Sequence, residues 1–100
     1  MATIGKQKIS TVESLAAGGT HVVRWNNYPE NSPLGYTAVP VPPAASGQHG
    51  TSQGSVEIVR VQLTYQRDNY NGDKRHVDIH VKNTGTTTTG FDVWESWVSS

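Results

Sequence analysis

The sequence predicts an all-β fold, an antiparallel β-sandwich of about six to eight short strands, immunoglobulin-like or similar. Three observations lead there. Apolar and polar residues alternate with period two from Val56 to Arg67 and again from Arg75 to Asn83, the mark of strands with one buried and one wet face. Asn71-Gly72 lies between them, a pair that tolerates the positive φ angles of a tight hairpin turn. Elsewhere, β-branched and aromatic residues run in short segments separated by Gly, Pro and Asn clusters.

Taken in order, Ile4–Val12 reads as a first strand, and Gly18-Gly19 closes it with a turn. Ala and Leu within Glu13–Ala17 also fit a helical turn, although so short a run does not stand alone. Thr20–Trp25 is a strand, ended by the turn chemistry of Asn26–Pro33. Gly35–Val41 is a short strand that Pro40, Pro42 and Pro43 confine to a sheet edge, because proline cannot donate to a ladder. Residues 42–55, rich in Gly, Ser, Ala and Gln, read as a flexible loop.

The second half is more regular. Val59, Val61, Leu63 and Tyr65 form the expected buried face of one strand, against Arg60, Gln62, Thr64 and Gln66. Its hairpin partner turns Val77, Ile79 and Val81 inward and His76, Asp78, His80 and Lys82 outward. Asn83-Thr84-Gly85 turns the chain, and Phe91–Val98 closes the fold with Phe91, Val93 and Trp97 on one face. Glu95 shares that parity and must find a partner or the sheet rim, since an unpaired buried carboxylate is costly. Trp94 points the other way.

Composition narrows the function classes. The chain is a single domain spanning residues 1–100, and a chain of this length buries roughly 60–70% of its unfolded surface, enough for one modest core. Eight basic residues balance eight acidic ones, so the long-range field used to bind nucleic acid or an anionic membrane is missing. Lys74 and Arg75, with Lys82 and Arg67, are diluted by Asp68, Asp73 and Asp78. With no cysteine, neither disulfides nor thiolate metal sites can form. No apolar run approaches membrane-spanning length and the opening MATIGKQK has no signal-peptide core, which leaves secreted and cytoplasmic locations both open.

Two fragments resemble parts of a known family. Ser14-Leu15-Ala16-Ala17-Gly18-Gly19-Thr20-His21-Val22-Val23 resembles the turn-plus-strand of bacterial immunoglobulin-like adhesion modules of the CARDB type. Val77-Asp78-Ile79-His80-Val81-Lys82-Asn83-Thr84-Gly85 resembles their strand-plus-turn, with the two fragments in reverse order here. The resemblance implies a sandwich with a binding or spacer role rather than catalysis, and assigns no ligand residue.

Three patterns bear on chemistry. Gly50-Thr51-Ser52-Gln53-Gly54 matches a nucleophile elbow, and Asp78 and His80 follow in suitable order. That elbow needs a strand-to-helix turn, and no helical pattern follows Gly54, so a solvated linker is the simpler reading and no enzyme is expected. His76, Asp78 and His80 alternate on one strand, about 6–7 Å apart in sequence pairs, a spacing that suits a divalent metal if a cross-strand group completes the shell. His21 and His49 are the candidate fourth ligands. The competing reading is the wet face of an amphipathic strand, with Arg60, Gln62 or Thr64 as cross-strand polar partners.

The aromatics carry the binding argument. Trp25, Asn27, Tyr28, Tyr70 and Trp94 are the candidate ligand-binding residues, because sugar rings lay apolar C–H faces on Trp and Tyr while amides supply hydrogen bonds. Against this stands their use as core or interface filler. The expectation is a non-enzymatic binding module that recognises carbohydrate or protein through aromatic loops. The alternative is a structural, self-assembling β-sandwich that forms homo-oligomers.

Overall fold

The computed structural model describes residues 3–29, 34–42 and 53–99. Six strands form: β1 (Thr3–Leu15), β2 (Thr20–Asn26), β3 (Leu34–Val41), β4 (Val56–Gln66), β5 (Lys74–Asn83) and β6 (Thr89–Ser99), with no helix among the described residues. They make two antiparallel three-stranded sheets, β1-β6-β3 and β2-β5-β4, packed as a β-sandwich. β4 and β5 are joined directly within one sheet, whereas each of the other connections passes from one sheet to the other.

The central strands of both sheets build the core. Val77, Ile79 and Val81 of β5 are fully buried and meet Phe91 and Val93 of β6, with Val23 of β2 beside them. Each such aliphatic or aromatic side chain contributes about 1.5–3 kcal/mol on leaving water. The inward parity of the β5 trio, read from alternation alone, is therefore the parity of the fold. Glu95 is fully buried as well and finds two partners: it accepts from Gln7 Nε2 (3.0 Å) and from the Tyr36 hydroxyl (2.8 Å). Gln7, Glu95 and Tyr36 are directly opposite one another across β1, β6 and β3, so one row of side chains ties the whole sheet together.

One end of the sandwich is clamped by Asn83. Its buried amide nitrogen donates to the Leu15 carbonyl (2.8 Å) and the Thr87 carbonyl (2.9 Å), and its amide oxygen accepts from Gly85 N–H (2.9 Å). Its backbone exchanges bonds with the β1–β2 turn, donating to Gly19 O and accepting from Gly18 N–H, both at 2.9 Å. Gly18 makes this possible by taking a φ of 78°, a conformation costly for any residue with a Cβ. Both fragments quoted above thus meet at this asparagine.

Several sequence expectations need correction. β1 continues through Glu13 to Leu15, so the helical alternative there is wrong: Leu15 packs against the core from a strand. The β4–β5 hairpin forms as expected, its connection a seven-residue loop since Gln66 pairs with Lys74, with Asn71-Gly72 inside it. Only Gly72 takes a positive φ (84°), and the loop is organised by Asp68, whose carboxylate accepts from the Tyr70 and Asn71 amides. Those bonds hold the Asp68 carboxyl below its ordinary range.

The largest correction concerns β4. Val61 and Leu63 do share the inner face with Ile79 and Val77, their cross-strand partners, yet they stay 39% and 45% exposed, and Tyr65 49%. A bulge between Ile58 and Arg60 removes Val59 from the alternation, and it too is exposed. The loop expected over 42–55 falls largely outside the described residues, but its end is tied down: Thr84 N–H donates to the Ser55 carbonyl (2.8 Å), and Gln53 O accepts from the Thr87 hydroxyl (3.0 Å).

Candidate binding site on the outer face of the β1-β6-β3 sheet

The five aromatic-site candidates fall in three places. Trp25 lies on the inner face of β2, half-buried against the core. Tyr28 also packs on the core, with the Arg75 guanidinium 5.6 Å from its ring centre and Arg75 Nε donating to its carbonyl (3.1 Å). Asn27 is exposed, bends the chain with a φ of 63°, and donates its N–H to Arg75 O (2.9 Å). These three make a structured strand end, not an open aromatic loop. Tyr70 stands 96% exposed on the β4–β5 loop. Trp94 is elsewhere again, on the outer face of the other sheet.

Trp94 owes its place to strand parity. Its neighbours Val93 and Glu95 are fully buried on the inner face, so the indole must project outward from the central strand. There it is half-buried, with Thr37 of β3 and Lys8 of β1 as its cross-strand partners. The outward row on one side of it places Gly35, Ser96 and Lys6 side by side, and the row on the other side holds Val39, Asp92 and Thr11. At Gly35 the space a Cβ would take is filled by Ser96 Oγ, which bonds the Gly35 carbonyl (3.4 Å). A depression of about 300 Å³ is lined by Lys6, Thr37, Val39, Trp94 and Ser96, with Glu95 below.

The electrostatics of this face are simple. The Asp92 carboxylate is occupied by the Thr11 hydroxyl (2.9 Å), and among the described residues neither Lys6 nor Lys8 makes an ion pair. Directly beneath, the Gln7–Glu95–Tyr36 row fixes the three strands that carry the depression. Burial, and then the bond to Glu95, raise the Tyr36 hydroxyl well above the ordinary tyrosine range, so it stays a donor at any physiological pH. The platform therefore rests on a rigid sheet rather than on a loop, an arrangement that favours precise presentation.

His76, Asp78 and His80 lie on the outer face of β5, as their parity requires, opposite Thr64, Gln62 and Arg60 of β4. Arg24 of β2 changes the chemistry there. It pairs with Asp78 through two bonds, Nε–Oδ1 at 2.7 Å and Nη2–Oδ2 at 3.0 Å, so both carboxylate oxygens are engaged. The guanidinium holds the Asp78 carboxyl below its ordinary range, chiefly by that hydrogen bonding. His76 Nε2 is 3.9 Å from Asp78 Oδ2. His21 is on the opposite side of the sheet, its ring edge-on to Phe91 at 6.3 Å. Among the described residues no three His, Asp or Glu side chains are placed to hold a metal ion. Residues 49–52, with His49 and Ser52, lie outside the described residues.

Sequence reasoning identified Trp94 but missed Lys6, Thr37 and Ser96. The signal was available only in combination: each has outward parity on its own strand, but their meeting depends on β1 and β3 flanking β6. Comparison of the chain with protein families, curated proteins and solved structures finds no match.

Proposed function

We propose that this domain is a non-enzymatic binding module that seats a carbohydrate on the Trp94 platform. The observation carrying this reading is the outward indole at the centre of a rigid sheet, ringed by two hydroxyls and an ammonium within one shallow depression. A pyranose ring presents an apolar C–H face that an indole covers well, while Thr37, Ser96 and Lys6 offer hydrogen bonds to its hydroxyls. An open, shallow site suits a chain or a terminal sugar rather than an enclosed small molecule. The binding role is also the one implied by the resemblance to bacterial adhesion modules.

The test is a glycan array of neutral and acidic oligosaccharides, followed by titration calorimetry on any hit. Trp94→Ala should weaken binding by about 30-fold or more, the loss of a central aromatic anchor at about 2 kcal/mol. Lys6→Ala should weaken it less. Retention of the same glycans by Trp94→Ala would move the site off this face, and an empty array at millimolar ligand would reject the carbohydrate reading.

A further inference from the structure

We infer that β4 is a self-association edge, and that two copies of this chain pair antiparallel along it to form a continuous six-stranded sheet β2-β5-β4-β4-β5-β2. This rests on different residues from the carbohydrate proposal and stands without it.

The two sheets end in four edge strands, β1, β3, β2 and β4. A free edge strand offers unpaired N–H and C=O groups, and proteins usually blunt it by shortness, lysine, proline or bulges. β1 carries Lys6 and Lys8 and two register shifts. β3 carries Pro40 within eight residues. β2 is seven residues long, bounded by the Gly18-Gly19 turn and the positive-φ Asn27. β4 has eleven residues, no proline, glycine or lysine, and a single bulge near its start. From Arg60 to Gln66 it pairs regularly with β5, and among the described residues no strand pairs with its other side.

The side chains point the same way. On the inner face of that regular segment Val61, Leu63 and Tyr65 are 39–49% exposed, where neighbouring β5 residues Val77 and Ile79 are fully buried. A partner that completes this edge must supply both ladder groups and apolar side chains on the same face. A second β4 supplies both. With the two-fold axis at Gln62, Val61 meets Leu63 of the other copy, and Gln62 meets Gln62. With the axis at Leu63, Val61 meets Tyr65 and the two leucines meet. The segment's one charge, Arg60, is opposite Thr64 or Gln66 in these registers, so no like charges oppose each other. Seven residues at about 3.4 Å each make a ladder about 24 Å long. An interface this small, below about 1,200 Å², implies weak association that depends on concentration.

Sedimentation velocity across concentrations tests the proposal. The weight-average mass should rise from one chain to two between low and high micromolar protein, and Leu63→Lys should hold it at one chain. The variant's circular dichroism and urea midpoint establish that it is folded. Because the chain lacks cysteine, a second test needs no destabilising change: Gln62→Cys or Leu63→Cys should oxidise to a covalent dimer, and Val22→Cys on the β2 edge should not. A strict monomer at high concentration with no cross-linking at 62 or 63 would overturn the inference and leave the open flank to another partner. A dimer indifferent to Leu63→Lys that cross-links equally well at 22 would overturn it too, by locating the interface elsewhere.

Discussion

On the β1–β2 side of the sandwich, Ile9, Val12 and Leu15 reach inward onto the core, and Val23 beneath them is buried. On the β3–β4 side the inward residues of β3 are Leu34, Tyr36, Ala38 and Pro40, of which only Tyr36 and Ala38 pack on the core, and Val61 and Leu63 remain close to half exposed. The backbone geometry of the two flanks is alike, an edge strand of one sheet beside an edge strand of the other. What differs is side-chain supply. β1 packs three branched aliphatics on the core, while β3 packs only one methyl and one phenol whose hydroxyl is tethered to Glu95, its Leu34 lying at the far end opposite Trp97. The same alternating pattern thus buries its apolar face on β5 and leaves it open on β4.

The contrast predicts unequal responses to truncation. Ile79→Ala should destabilise the domain by about 2–5 kcal/mol, the usual cost of a cavity in a closed core. Leu63→Ala, one strand away, should cost under about 1 kcal/mol in the monomer, because water already reaches the site. Urea midpoints at low protein concentration give both values. Equal losses would show that the β4 flank is closed in solution. Asn83→Ala should come next, at about 2–3 kcal/mol, since it strands the Leu15 and Thr87 carbonyls and the Gly85 amide at the clamped end. Amide hydrogen exchange should then rise at Gly18 and Gly85 before it rises in β5.

The smallest effect belongs to the outer face of β5. Arg24 is well exposed, so solvent screens its pairing with Asp78 and leaves it a small contribution. The sign with pH is fixed by the lowered Asp78 carboxyl: its contribution is complete above the ordinary value of 3.8 and is lost as pH falls through the lower folded value. Asp78→Asn should therefore reduce stability slightly at pH 7, and the gap to the parent should close as acid protonates the Asp78 carboxyl. A variant gap that widens in acid would contradict the Arg24–Asp78 pairing.

Much of the fold was legible from period two and turn chemistry. β2, β5 and β6 begin and end within two residues of where alternation and punctuation put them, and Pro40 marked an edge strand. β1 was underestimated because Ala and Leu after Glu13 mimic a helix start, whereas Leu15 extends the strand to reach the core. The hairpin was legible from Asn71-Gly72, whereas the part played by Asp68, three residues earlier, whose carboxylate gathers the turn amides, was not. Of the candidate ligand set, Trp94 was readable as outward from its parity and Trp25 packs on the core as the filler reading had it, while Tyr28 was not readable as packed, since nothing local announces that Arg75 will cover it.

By itself the sequence determined strand periodicity, and with it which side chains share a face: Val77, Ile79 and Val81 inward, Trp94 outward, and Glu95 obliged to find donors. Alternation is a property of one strand, set by backbone geometry and visible in one dimension. Only the tertiary structure decided which strands lie side by side, and so that Gln7 and Tyr36 would be those donors. It also decided that Lys6, Thr37 and Ser96 surround the indole, and that one apolar face would be covered and another left open. Burial requires a second surface, and no strand carries the description of what will be packed against it.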